Sequence, residues 1–287
     1  MQLAVFYNHV VCAAKQKNVS TEEILNQIKK AGITGLEFSI DEIREQESEL
    51  SLFMKKTGFF VSCIYSRHDF SFSANGAKAF SLIDTAARLG SSKVLIIPGF
   101  CSFTSKKPVF WKDNHPNLLQ YFQMNQMAKA LTMICNYAAN KNITVTLEDF
   151  DDKRAPYCTM NGLLWFMKKV PALKYTFDSG NFQYCGEDEI NAFQLLKNYI
   201  SHVHLKDRTY DVGNQGDFSL DLLNQPMYPS PVGYGCIHMK EILSLLHSIK
   251  YEDYLTIEHF GAIDQLNYME LSSKWILSQV TGVKAND

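Results

Sequence analysis

The sequence predicts a single-domain α/β protein, a (β/α)8 TIM barrel that takes in residues 1–287. Strand-length apolar segments alternate eight times with helix-length amphipathic ones, a pattern that calls for a parallel sheet covered by helices. No composition shift or linker interrupts the alternation, which favours one closed barrel over two smaller domains. The first strand runs out through Tyr7 into Asn8, His9 and Val10, not into the glycine-rich phosphate turn of an open doubly wound sheet.

Taken in order, the first strand is Leu3 to Tyr7, with Asn8 and His9 at its carboxyl end. Ser20 and Glu23 form a capping box for a helix that runs to Lys30 and stops at Gly32. Gly35 to Phe38 is the second strand, followed by a charged helix from Asp41 to Lys56 with Gly58 as its stop. The third strand is Phe59 to Tyr65, and Arg67, His68 and Asp69 lie just past it. A helix from Asn75 to Leu89 stops at Gly90, and Lys93 to Ile97 is the fourth strand. A long loop through Trp111 and His115 leads to a helix from Asn117 to Asn140, then to the fifth strand, Thr144 to Glu148. Thr159 caps the helix to Lys169, Leu173 to Asp178 is the sixth strand, and Asp188 to Asn198 is helical. Ile200 to Lys206 is the seventh strand. The segment from Thr209 to Gly235 reads as the longest structureless connection, which marks a functional loop. A helix from His238 to Ile249, the eighth strand from Tyr254 to Glu258 and a helix from Asp264 to about Val280 close the chain.

A net charge of −2 without a basic stripe argues against nucleic acid as a partner. Seven scattered cysteines without a C-x-x-C spacing read as reduced thiols. The first residues are too short and too uncharged for a signal peptide, and no apolar run reaches membrane-spanning length. A cytoplasmic protein with no membrane partner is expected; homo-oligomer formation is left open.

Barrel chemistry sits where strands end, so the strand ends are where chemistry is sought. The seventh strand aims His202, His204 and Lys206 the same way, a face that is costly to bury without partners. Strands five to eight end in Glu148, Asp178, the His204/Lys206 pair and Glu258, neighbours around half the rim. Three carboxylates and an imidazole brought to one point call for a cation among them. Mixed oxygen and nitrogen donors suit one divalent ion, Mn²⁺, Mg²⁺, Co²⁺ or Zn²⁺.

In these motifs the chain resembles the xylose isomerase-like TIM barrel superfamily of sugar and sugar-phosphate isomerases and epimerases. The resemblance rests on Thr146 to Asp149, Thr176 to Asn181, the run His202-Val-His204-Leu-Lys206-Asp207, Gly233 and Gly235 ahead of a helix, and Tyr254 to Glu258. It implies a metal held by Glu148, Asp178, His204 and Glu258, with a substrate's vicinal oxygens on the same ion. It also implies that Glu148 and Glu258 move the proton, through a metal-stabilised enediolate. The keto-sugar epimerase branch has a histidine where this chain has Asn181 and an arginine where it has Tyr210. A metal-dependent dehydratase of an inosose-type keto-polyol is the alternative outcome of the same enolate. An apurinic endonuclease would need histidines where Pro98 and Asn181 stand, and a non-catalytic sugar-binding descendant would be expected to have lost a ligand.

The expected partner is a small sugar or sugar phosphate. Lys206 is expected either beside the developing oxyanion or in an ion pair. His68 and Glu37 are expected as sugar contacts or supports, and Trp111, with Phe100, Phe103 and Phe110, as an aromatic wall or as packing under the long loop. Arg208 is a further substrate contact and, with Arg67, a candidate for holding phosphate. His202 lies deeper in the barrel and reads as a core group.

Overall fold

The computed structural model describes residues 1–44, 47–102, 107–211, 213 and 216–283, with only the backbone at 281–283. Ten strands follow one another along the chain: β1 (Gln2–Phe6), β2 (Ile33–Ser39), β3 (Phe60–Arg67), β4 (Lys93–Ile97), β5 (Thr144–Glu148), β6 (Lys174–Asp178), β7 (Ile200–Thr209), β8 (Ser219–Leu220), β9 (Pro226–Ser230) and β10 (Tyr254–Glu258). Eight of them, all but β8 and β9, pair in parallel with their neighbours in order. β10 pairs with both β7 and β1, so the ring closes and has no edge.

These strands are apolar along their length because parallel staves are buried on both faces, by helices outside and by one another within. All five residues of β4 and the last four of β5, β6 and β10 are buried. Inside the ring the layers are polar: Thr176 donates to Thr146 (2.7 Å), and Thr256 donates to Glu37 (3.0 Å). The helices start where their caps predict. Ser20 accepts from the Glu23 amide, Thr159 from that of Gly162 and Asp188 from that of Asn191, and Asn117 forms a reciprocal box with Gln120.

Five local expectations are corrected. The first strand ends at Phe6, and a helix expected nowhere, Tyr7–Lys17, begins at once; its start has no side-chain cap to announce it. The helix expected from Asp41 to Lys56 is two pieces, Ile40–Ile43 and Glu47–Thr57, and the one expected from Asn75 opens as a 3-10 turn, Gly76–Ala79. A short helix, Phe182–Cys185, stands unpredicted behind β6. The connection after Thr209 is also not structureless. β7 overruns the rim and pairs antiparallel with β9, matching Asp207 to Ser230 and Thr209 to Tyr228, and β9 pairs with β8. Pro226 and Pro229 read as breakers in sequence, but Pro226 is the first residue of β9 and Pro229 lies past the end of the β8 pairing, positions where a strand tolerates proline.

Candidate active site

Four neighbouring strand ends bring their side chains together at the mouth. Asp178 on β6 lies opposite His204 on β7, and Glu258 on β10 lies opposite Lys206, with Glu148 ending β5 beside them. Glu148, Asp178, His204 and Glu258 each present a ligand atom within 4.8 Å of all the others, and all four are buried. His204 Nδ1 is 2.5 Å from Glu148 Oε1 and 3.3 Å from Glu258 Oε2. Asp178 Oδ1 accepts from the amides of Gly180 (2.7 Å) and Asn181 (2.9 Å), while its Oδ2 is buried with no hydrogen-bond partner among the described residues and Lys206 Nζ 3.9 Å away.

The electrostatics are those of an over-charged cage. Burial pushes the carboxyls of Asp178 and Glu148 up. Burial would do the same to Glu258, but the Lys206 ammonium and His204 hold it well below the carboxylate range. His204 is driven the other way: burial favours its neutral form, but Glu37 and Glu148 outweigh that and raise it. A buried carboxylate oxygen with nothing to accept from, inside a ring of oxygen and nitrogen donors, fits a bound divalent cation.

Beneath this cage lies a supporting layer. Glu37, with no solvent exposure, places both carboxylate oxygens 3.2 Å from His204 Nε2. One of them is also 2.9 Å from His202 Nε2 and accepts from Thr256. On the other side of the cage Asp149 accepts from the Tyr175 hydroxyl (2.6 Å) and from the Asp178 amide (3.1 Å), which fixes the end of β6.

Above the cage opens a cavity of about 390 Å³, walled by Phe6, Tyr65, Phe150, Phe218 and Phe260. Of the four cage residues, Glu148 and Glu258 line it, while Asp178 and His204 are sealed below. Lys206 also lines it, its Nζ 2.7 Å from Glu258 Oε1 and 2.8 Å from Asn181 Oδ1. Arg208 lines it with Nη2 2.7 Å from Asp151.

Three residues expected either at the sugar or in support of the site do not line the cavity. Glu37 is cut off from the cavity by the cage it supports. His68 stacks on Phe70 with ring centroids 5.0 Å apart and does not reach the lining, because the chain turns away after Arg67. Trp111 spends its indole N–H on the Cys185 carbonyl (2.7 Å) and packs behind the wall. Phe100 and Phe110 likewise pack outside the cavity, and Phe103 lies outside the described residues. His202 is a core group, as expected from its depth. Sequence reading missed Asp151, Phe150, Tyr65 and Asn181. Phe150 and Asp151 come two and three residues after the last residue of β5, so their position just past a strand end was the available signal.

Fold and cavity together define a β/α-barrel protein with a cavity at its carboxyl mouth and, beneath it, a side-chain cage of the kind that can hold a metal. The chain belongs to the xylose isomerase-like TIM barrel family, whose profile matches residues 25–279. A comparison with curated proteins gives no match at the sequence level. Among solved structures it is similar to the probable 3-DHS dehydratase AsbF of Bacillus anthracis, at 19% identity and a TM-score of 0.70 over 96% of this chain and 99% of that one. It is similar to a D-allulose 3-epimerase from Methylomonas sp. in complex with D-allulose, at 13% identity and a TM-score of 0.70 over 97% of both chains. A zinc-bound IOLI protein is similar at 15% identity, with a TM-score of 0.71 over 98% of this chain and 99% of that one. At these identities the likeness establishes the fold.

Proposed function

We propose that the protein is a divalent-metal-dependent isomerase or epimerase of a small sugar or sugar phosphate. The observation that carries this reading is the division of the four-residue cage: two members sealed beneath the cavity and two glutamates facing it. Glu148, Asp178, His204 and Glu258 would hold the ion, with Mn²⁺, Mg²⁺, Co²⁺ and Zn²⁺ all compatible with the donor set. When bound, such an ion supplies positive charge that acidifies a C–H beside a carbonyl.

The chain's own residues do the rest. Glu148 and Glu258 stand three staves apart, so they reach a substrate lying over the cage from two sides. One takes the α proton and the other returns it, to the neighbouring carbon for an isomerase or to the opposite face for an epimerase. Lys206, held against Glu258, puts an ammonium beside the oxygen on which charge develops. The aromatic walls cover the sugar's C–H faces and exclude water. The sugar complex and the bound zinc of two similar structures support this reading, as does the epimerase activity one of them is named for.

The test is incubation of the manganese-loaded protein in D₂O with ketoses, aldoses and an inosose. Deuterium at an α carbon of a sugar is the expected result. Loss of water from the inosose without exchange into any sugar assigns the dehydratase alternative instead, and no reaction at all overturns both.

A further inference from the structure

We infer that the substrate is an anion, a keto-polyol carrying a carboxylate or phosphate group that is received by Arg67 and Arg208. The inference rests on the cavity being the substrate site and deepens that reading by naming the substrate's charge.

The argument is an inventory of the charges that face the cavity. Its acids are Glu148, Asp151, Asp217 and Glu258, and its cations are Arg67, Lys206 and Arg208. Lys206 is matched to Glu258, and Glu148 to His204. Arg208 is only half matched. Its side chain is 7% exposed and gives Nη2 to Asp151, yet its other guanidinium nitrogens make no hydrogen bond among the described residues, and Nε is buried without a partner. A guanidinium carries five donors in a planar fork, so a nearly buried one with a single acceptor has capacity left for a ligand.

Arg67 is the second observation. It ends β3, on the stave facing β7 across the ring, and lines the cavity. Among the described residues it meets no carboxylate; its guanidinium instead lies 5.6 Å from the Phe150 ring centroid. Phe150 and Asp151 are consecutive, so two arginines from opposite staves converge on the same short segment after β5. Two forks lining one cavity beside the same short segment, with one acceptor used between them, leave donors for an oxyanion. Asp217 stands on the loop beyond β7, tied by its amide to the Gly261 carbonyl after β10, and its carboxylate meets no cation among the described residues. Asp217 is thus left to accept from substrate hydroxyls, while the arginines take the charged group.

The test is calorimetric binding to the manganese-loaded protein of D-fructose, D-fructose 1-phosphate, D-fructose 6-phosphate and 5-keto-D-gluconate. At least one anionic ligand is expected to bind roughly tenfold or more tightly than D-fructose, by a margin that shrinks with added salt. Whether a phosphate or the carboxylate wins assigns the group. In Arg67→Gln the ratio of anionic to neutral affinity is expected to fall to about twofold or less. Arg208→Lys, which keeps the charge beside Asp151 but loses the fork, should lower the same ratio. D-Fructose binding as tightly as every anion, no anion binding at millimolar concentration, or a preference that survives both substitutions overturns the inference. Proton exchange is read separately: anion preference without exchange into any sugar sinks the proton-transfer reading and leaves this one standing.

Discussion

Glu37 and His204 lie 167 residues apart in sequence, yet both oxygens of the Glu37 carboxylate sit 3.2 Å from His204 Nε2. That contact holds the imidazole so that its other nitrogen, Nδ1, faces Glu148 and Glu258. A carboxylate behind a ligating histidine fixes its ring and raises its basicity. Glu37→Gln keeps the volume and removes the charge, so metal affinity is expected to fall about 10- to 100-fold with the fold intact. Cobalt titration beside circular dichroism checks this, and unaltered affinity would show that Glu37 only fills space.

Glu148→Gln and Glu258→Gln test the proton-moving pair. At saturating manganese each is expected to slow α-proton exchange by a factor of about 10²–10⁴, the range a positioned general acid or base contributes. Exchange within a fewfold of the parent rate in either variant would remove that residue from the proton path, whatever it does for the ion.

Metal removal has a stability readout that needs no substrate. With the acids of Asp178 and Glu148 held up by burial, the empty cage is poorly satisfied, and a cation relieves it. At a free-ion concentration of 100 times Kd the ion adds about 2.7 kcal/mol, worth about 5 °C in a chain of this size. Thermal unfolding with chelator and with manganese measures the shift. Asp178→Asn should abolish most of it, and a chelator-treated protein melting with the loaded one would argue against an ion site.

The amino end of the barrel carries a separate ion pair. Lys93, buried at the start of β4, bonds Asp253 just before β10. Burial raises the Asp253 carboxyl, but the hydrogen bond and charge of Lys93 outweigh it and hold the group below its ordinary 3.8. A depressed acid stabilises above its unfolded value and loses that contribution as pH falls through the folded one, so the effect is present at neutrality and disappears below about pH 4. Asp253 is 40% exposed, which limits its own share; most of the loss in Asp253→Asn is the stranded lysine, roughly 2–3 kcal/mol at pH 7. Urea unfolding should show the gap between variant and parent closing as pH drops through 4, and a gap that widens there would reverse the assignment.

The barrel was legible because its signals are local and repeated: apolar staves, capped helices and glycine stops agree unit after unit. The cage was legible for the same reason, since Glu148, Asp178 and Glu258 each close an apolar strand and His204 sits in a polar face of β7. What escaped depends on distance along the chain. Nothing near Glu37 says that His202 and His204 will come to rest on it, so sequence left a strand-end acid open between sugar contact and support, and the structure places it one layer below the cavity. Arg67 and Arg208 show the converse. Their reach across the mouth to Phe150 and Asp151 follows from ring closure, which no short window of sequence records. The rim hairpin was hidden by its own prolines, and the helix at Tyr7 by the lack of a cap.

The overrun of β7 joins two tasks on one continuous backbone. Its lower half carries His204 and Lys206, and its upper half is laced to β9, from whose hairpin neighbourhood Asp217 and Phe218 reach the cavity. Insertions or deletions at the hairpin's tip can therefore remodel which molecule is admitted while the reaction is inherited intact. In a lineage built on this plan, selectivity should drift fastest between Thr209 and Pro226.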